Sequence, residues 1–202
     1  MGYTLFDRFL AWCRFREALP HVRPLARVCD IGCGMEARFL DYARERIGFG
    51  VGIDDRIAAT ASTGRSLIRG DITQGLPFRS ACFDHVVLLA VLEHLNQPRP
   101  VLAEIFRILT PGGSLIMTWP AAAIDPLLHV LERVGVVCKE LGIQEHQPRI
   151  PLPLLRSMLG EIGFTGSRHR TFEFGLNNLL VCYKSRSAPD QPPLDAETYA
   201  GA

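Results

Sequence analysis

Val28-Cys29-Asp30-Ile31-Gly32-Cys33-Gly34 is an apolar run that carries one carboxylate and closes in a glycine turn. This is the pattern of a buried strand delivering an acid to the start of a helix near Glu36. Glycines at 32 and 34 let the backbone turn tightly and come close to a ligand, and the helix behind them aims its first amide N–H groups at whatever is bound. Gly52-Ile53-Asp54 ends a second strand in a carboxylate, with Asp55 beside it, and Gly70-Asp71-Ile72 ends a third. Together these residues can read a nucleoside. Asp54 can accept hydrogen bonds from both ribose hydroxyls and Asp71 from an adenine amino group, while Ile72 offers a backbone amide to a ring nitrogen and its side chain to the ring face.

The glycine spacing alone does not choose the nucleotide. Gly32-x-Gly34-x-x-Ala37, with Asp54 about 20 residues on, also satisfies the dinucleotide fingerprint. Asp30 separates the alternatives. A carboxylate beside a pyrophosphate in a partly dry cleft costs on the order of several kcal/mol, whereas a ligand bearing an ammonium or a sulfonium gains from it. S-adenosylmethionine carries both, and the chain has no Tyr-x-x-x-Lys pair for hydride chemistry on NAD. The structural alternatives are that Asp30 is only a helix-dipole partner and Asp71 only an N-cap. Cys33 has no cysteine partner or base near it in sequence and reads as a filler of the turn.

Apolar and helical segments alternate along the chain, which predicts a parallel sheet covered on both faces. Strands are expected over 25–31, 50–53, 66–69, 85–89 and 114–119, and helices over 36–46, 100–109, 126–141 and 152–162. The crossover over 56–64 is too short for more than a clipped helix. Residues 166–184 split at Gly175-Leu176-Asn177 into an antiparallel hairpin. Leu5, Phe6, Phe9, Leu10 and Cys13 recur at helical spacing up to Pro20. This leading helix, within 1–24, either closes the pocket as a lid through Phe9 and Trp12 or simply packs on the core. The main domain is expected over 25–184, and the proline-rich stretch 185–202 is expected to be a disordered tail.

Composition narrows the function classes. The chain has 202 residues, 48% hydrophobic and 21% charged, with a net charge of +1 and a pI near 7.7. This suits one compact domain and supplies no global field for nucleic acid or an anionic membrane. Six cysteines stand singly, without metal spacing, so no metal is expected. No apolar run is long enough to span a bilayer and the first residues lack a signal-peptide core, which predicts a cytoplasmic protein.

The ordered series Asp30-Ile31-Gly32-Cys33-Gly34, Gly52-Ile53-Asp54, Gly70-Asp71, Leu76-Pro77-Phe78, Phe83-Asp84, Leu92-Glu93-His94-Leu95 and Leu109-Thr110-Pro111-Gly112-Gly113 resembles the class I S-adenosylmethionine-dependent methyltransferases. It is similar to their small-molecule and lipid-directed branch, which includes the quinone-biosynthesis methyltransferases. The resemblance runs from about Val28 to Tyr183 and implies a Rossmann-like, doubly wound α/β fold: a seven-stranded, mostly parallel sheet whose last strand, about 178–184, inserts antiparallel. It implies that Asp30, Gly32, Cys33 and Gly34 surround the methionine portion of the cofactor, that Asp54 with Asp55 holds the ribose, that Asp71 and Ile72 grip adenine, and that Ala90 sits beside the methionine moiety. Met35-Glu36 departs from the pattern, and Glu36 adds negative charge next to the ligand carboxylate.

Methyl transfer needs a general base only when the acceptor keeps its proton. His94 and His146 are the candidates, with His146 ranked first because the segment around Glu145-His146 lies over the acceptor pocket in relatives. Trp119, Ile124 and His146 are expected to face the acceptor, a small or amphiphilic molecule whose identity the sequence leaves open. Two alternatives remain: a cofactor-binding but catalytically weak member acting as a partner or regulatory subunit, and an NAD-dependent oxidoreductase.

Overall fold

A computed structural model of the protein describes residues 5–121 and 150–186. The expected helix over 126–141, Ile124, the Glu145-His146 pair and nearly all of the expected tail lie outside the described residues.

The helices are α1 (Leu5–Ala18), α2 (Arg38–Ala43), α3 (Pro98–Ile108) and α4 (Leu152–Ile162). The strands are β1 (Arg27–Ile31), β2 (Phe49–Asp54), β3 (Thr60–Ser62), β4 (Arg65–Arg69), β5 (Phe83–Leu89), β6 (Leu109–Pro120), β7 (Phe164–Phe172) and β8 (Asn177–Lys184). They form one sheet in the order β3-β4-β2-β1-β5-β6-β8-β7. β4, β2, β1, β5 and β6 run parallel, and β8 inserts antiparallel between β6 and β7.

Strand alternation sorts the core to the two faces, as side chains of period two must. Ile31, Ile53, Val86, Leu88, Leu115 and Met117 point to the side covered by α3 and α4. Val28, Val87, Ile116, Leu179 and Val181 point to the side covered by α2 and the end of α1. The fold is therefore the doubly wound α/β sandwich that the sequence implies.

Two differences from expectation have local causes. Among the described residues the sheet has eight strands instead of seven, because the second crossover forms a strand: β3 pairs antiparallel with β4 through a tight turn at Thr63-Gly64, where Gly64 has φ +80°. No apolar stripe of helical period exists there to favour a helix. α2 begins at Arg38, two residues later than expected, since Ala37 takes a left-handed φ of 47°.

Several family motifs turn out to brace the scaffold. Arg107 on α3 donates to the carbonyls of Leu76 and Phe78 and pairs with Glu104, which itself accepts from Leu76 N–H. The segment Leu76-Pro77-Phe78 is thereby clamped to α3. Asp84 accepts from Arg27 N–H at 2.9 Å and ties the start of β5 to β1.

Candidate active site at the carboxyl edge of the sheet

β1 is flanked by β2 on one side and β5 on the other, so the chain reverses direction of travel there and leaves a crevice beyond the strand ends. A cavity of about 510 Å³ opens at that point. It is lined by Asp30, Gly32, Cys33, Gly34, Asp54, Asp55, Asp71, Ile72, Ala90 and His94, so the structure brings together every described cofactor-site candidate from four separate strand ends.

The glycine turn is held by β2. Gly32 and Cys33 both donate their N–H groups to Ile53 O, at 2.8 and 3.2 Å, and Gly34 N–H donates to Asp54 Oδ2 at 2.8 Å. Gly32 has φ +70°, and a Cβ there would meet Val91 Cγ2 at 2.5 Å, so only glycine fits the turn without displacing the cavity wall. Asp54 also accepts Arg56 N–H on Oδ1 at 3.0 Å. Each of its oxygens is thus oriented by a backbone amide, and the lone-pair capacity of a carboxylate leaves room for two hydroxyl donors.

Asp30 is 2% exposed, and no hydrogen bond reaches its carboxyl among the described residues. Burial, with the charge of Asp54 adding to it, pushes its pKa up to about 8. Asp71 caps the following 3-10 turn, accepting from Thr73 N–H at 2.9 Å and from Thr73 Oγ1 at 2.7 Å on one oxygen, while it also borders the cavity. Burial, with Asp30 and Asp54 contributing, raises the Cys33 thiol strongly, as suits a packed, unreactive side chain.

Glu36 is paired with Arg38 at 2.6 Å, which holds its carboxyl below the usual range. The negative charge that sets this chain apart at Met35-Glu36 is therefore answered locally. α2 has only six residues, so the long helix N-terminus expected behind the glycine turn is not there to receive an anionic group.

Sequence reasoning missed one wall of the cavity. Asp7, Leu10, Ala11, Arg14 and Phe15 of α1 line it, a stripe at i, i+3, i+4, i+7 and i+8 that is hard to see because it mixes apolar and charged types. Phe15 packs edge-on against Phe39 of α2, with ring centroids 5.6 Å apart. Among the described residues the buried Arg14 Nε has no hydrogen-bond partner. Phe9 and Trp12 do not face the cavity; they stack on each other in solvent, so α1 closes the site with a different face from the one expected.

On the acceptor side, His94 is exposed and borders the cavity. Trp119 is 7% exposed, belongs to the core cluster and lies 6.2 Å from the His169 ring, behind the cavity instead of on its lining. Among the described residues no group of His, Cys, Asp and Glu is arranged to hold a metal.

The cavity's chemistry fits S-adenosylmethionine. A buried, unpartnered carboxylate suits a cationic ligand, the oriented Asp54 suits a ribose, and the unpartnered Arg14 Nε suits a carboxylate. Comparison with known proteins agrees. A family described as a methyltransferase domain matches residues 29–117. The chain is 27% identical over 207 aligned residues to the ubiquinone/menaquinone biosynthesis C-methyltransferase UbiE of Xylella fastidiosa, covering 86% of this chain and 79% of that protein. It is 32% identical over 115 residues to the tRNA U34 carboxymethyltransferase of Trichlorobacter lovleyi, covering 52% of this chain and 36% of that protein. It spans less than half the length of several such relatives. The methyltransferase solved with the Haloferax volcanii Trm112 methyltransferase activator shares the fold, with a TM-score of 0.66 at 19% identity over 88% of this chain and 91% of that one.

Fold and site define a nucleoside-binding α/β enzyme scaffold. The match over residues 29–117 and the likeness to UbiE make the chain similar to the class I S-adenosylmethionine-dependent methyltransferases, those of quinone biosynthesis among them, and its cofactor is accordingly S-adenosylmethionine.

Proposed function

We infer that the protein methylates a small amphiphilic acceptor of the quinone or quinol kind, acting in the cytoplasm. One observation carries the choice of acceptor. The likeness to UbiE covers 86% of the chain and so includes the acceptor-facing half, whereas the likeness to the tRNA enzyme stops at 52%. The net charge of +1 also gives no field for a polyanion.

When bound, S-adenosylmethionine supplies a methyl group already activated on a sulfonium, so the protein contributes chiefly position, worth up to about 7–11 kcal/mol in favourable systems. In this reading Asp30 ionises against the ligand's cationic end. Asp54 accepts from the ribose hydroxyls, Asp71 and Ile72 bracket the adenine, and Ala90 borders the methionine arm together with the glycine turn at 32–34. Arg14 takes the ligand's carboxylate from the α1 side, which makes α1 part of the cofactor site. His94 at the mouth and His146 are the groups that would take a proton from an acceptor hydroxyl or carbon acid. Ile124 and His146 would face the acceptor, with Trp119 supporting them from the core.

A second reading has one observation behind it. The Haloferax structure is a complex with an activator, and in that reading this chain holds cofactor but is active only beside a partner.

Calorimetric titration with S-adenosylmethionine, its demethylated product and NAD, followed by methyl transfer to demethylated quinols, simple phenols and tRNA, tests these assignments. Micromolar binding of the first two but not NAD, with transfer to quinols, is the expected result. Transfer to tRNA alone overturns the acceptor, absence of cofactor binding overturns the enzyme, and binding without transfer to any acceptor favours the partner reading.

A further inference from the structure

The exposed large apolar side chains are not spread evenly. Among the described residues, Leu5, Phe9, Trp12, Met35 and Phe174 stand at the carboxyl edge of the sheet, where the cavity opens, whereas Leu25 and Phe49 lie at the amino edge and Tyr42 and Leu154 on α2 and α4. α1 explains part of this. Its inner stripe lines the cavity, while Leu5, Arg8, Phe9, Trp12 and Arg16 share the outer stripe at i, i+3, i+4, i+7 and i+11. Leu5 is 84%, Phe9 54% and Trp12 42% exposed, and the Arg16 guanidinium lies 5.6 Å from the Trp12 ring centre.

The β7–β8 turn supplies the rest. Asn177 registers with Pro120, and Ala121 N–H donates to Leu176 O at 2.8 Å, which fixes the turn at the end of β6, on the same edge as the cavity. Glu17 of α1 pairs with Arg170 of β7, and burial together with the neighbouring Glu173 carboxylate raises the Cys13 thiol of α1, so the turn abuts the helix. At its tip Glu173 and Phe174 both take left-handed backbone conformations, φ 51° and 56°. Such conformations cost free energy for residues with a Cβ and persist where something repays them. Phe174 is 106% exposed, so no packing within the described residues repays its strain.

We propose that this rim, the outer stripe of α1 together with the Phe174 tip, docks on an anionic lipid surface and presents the cavity mouth to the bilayer. The inference deepens the amphiphilic-acceptor reading and takes its occupant from it. Three features select a lipid surface over a protein groove. The apolar groups project from convex elements. They are aromatic and aliphatic side chains of the sort that enter the headgroup region, with arginines at their flanks. Of the acids beside them, Glu17 is paired with Arg170, Glu173 accepts from Asn177 and Glu36 is paired with Arg38. The overall charge of +1 hides this local arrangement.

The test uses the full chain with vesicles of phosphatidylcholine, with or without about a third phosphatidylglycerol. Co-sedimentation and the emission of Trp12 report binding, with the buried Trp119 as background. Binding that is stronger to the anionic vesicles, blue-shifts Trp12 and falls about tenfold or more in Phe174→Asp and in Trp12→Ala is the expected outcome. Arg16→Glu should abolish the preference for anionic lipid. Calorimetric affinity of Phe174→Asp for S-adenosylmethionine should match the unmodified chain, which shows that the site still folds. Absence of binding to either vesicle, binding undiminished in both apolar variants, or a concentration-dependent self-association that Phe174→Asp abolishes would each overturn the proposal. Vesicle binding without methyl transfer to any quinol would instead sink the acceptor reading and leave the docking surface standing.

Discussion

His85 and Asp30 lie on neighbouring strands, since His85 registers with Val28 two residues from Asp30, and both are almost wholly buried. At the amino edge, His85 accepts Arg23 N–H at 3.1 Å on Nε2 and shares a 2.7 Å hydrogen bond with Ser114 Oγ through Nδ1. Burial, with the charge of Arg23 adding to it, lowers its pKa to about 4, and it rests neutral with its partners in place. At the carboxyl edge, Asp30 has no such partners and sits against a second acid. Burial of a polar group therefore does not by itself mark the functional end of this sheet; what marks it is burial without internal compensation.

Deleting one carboxylate at each edge should break the two ends differently. Asp54→Ala removes the acceptor for Gly34 and Arg56 N–H and, in the proposed site, for the ribose. Hydrogen bonds to a charged group are worth about 1.5–3 kcal/mol each, so calorimetry should show S-adenosylmethionine affinity falling about 100-fold or more. Asp84→Ala at the amino edge removes the tie to Arg27 and should lower the melting temperature while leaving cofactor affinity within about threefold. Equal losses of affinity in both variants would erase the distinction.

The same pair should titrate in opposite senses. The pKa of Asp30 is raised in the folded state, from 3.8 to about 8, so its contribution to stability is complete below its unfolded value and is lost as pH climbs toward 8. The pKa of His85 is lowered, from 6.5 to about 4, so its contribution is complete above 6.5 and is lost as pH falls toward 4. His21, lowered by burial and then by Arg168, acts in the same direction as His85. Thermal melts of the ligand-free protein should therefore peak between these limits. Asp30→Asn should flatten the alkaline limb, and His85→Asn should flatten part of the acid limb. Because a cationic ligand ionises Asp30, S-adenosylmethionine binding should tighten from pH 6 to 8 and release a proton, seen as a buffer-dependent enthalpy that Asp30→Asn abolishes.

Much of this was legible in the sequence. Strand ends near Asp30, Asp54 and Asp71 could be read because each is a short apolar run that carries an acid beside a glycine or at its close, and the end of α4 was marked by Gly163. What escaped depended on contacts distant in sequence. α1 was read from its apolar residues alone, yet tertiary packing turned Asp7 and Arg14 into the cavity and left Phe9 and Trp12 outside. The Thr60–Ser62 strand carried no apolar pattern and exists because β4 offers it an edge. The motif at Leu76-Pro77-Phe78 looked like a family signature, and only its bonds to Arg107 and Glu104 reveal that it holds the scaffold.

Arg14 offers a test by subtraction from both sides. If its guanidinium receives the ligand carboxylate, Arg14→Ala should weaken S-adenosylmethionine by about tenfold, as expected for one charge-assisted contact. The decarboxylated analogue should bind the unmodified chain and the variant equally. Equal weakening of both ligands would mean that Arg14 supports α1 instead of reading the carboxylate.

The smallest effect is expected at Glu36. This acid lies at the uncompensated edge but is itself compensated, since Arg38 holds it at 2.6 Å. A half-exposed ion pair contributes about 0–1 kcal/mol, and its net field at the ligand is weak because the two charges oppose each other at short range. Glu36→Gln should therefore change cofactor affinity by less than about threefold, with the sign set by Arg38 losing one partner and turning more positive field on the ligand carboxylate. A gain of tenfold would mean that Arg38 does not cancel Glu36, and that the acids of this edge act on the ligand as a group and not through Asp30 and Asp54 alone.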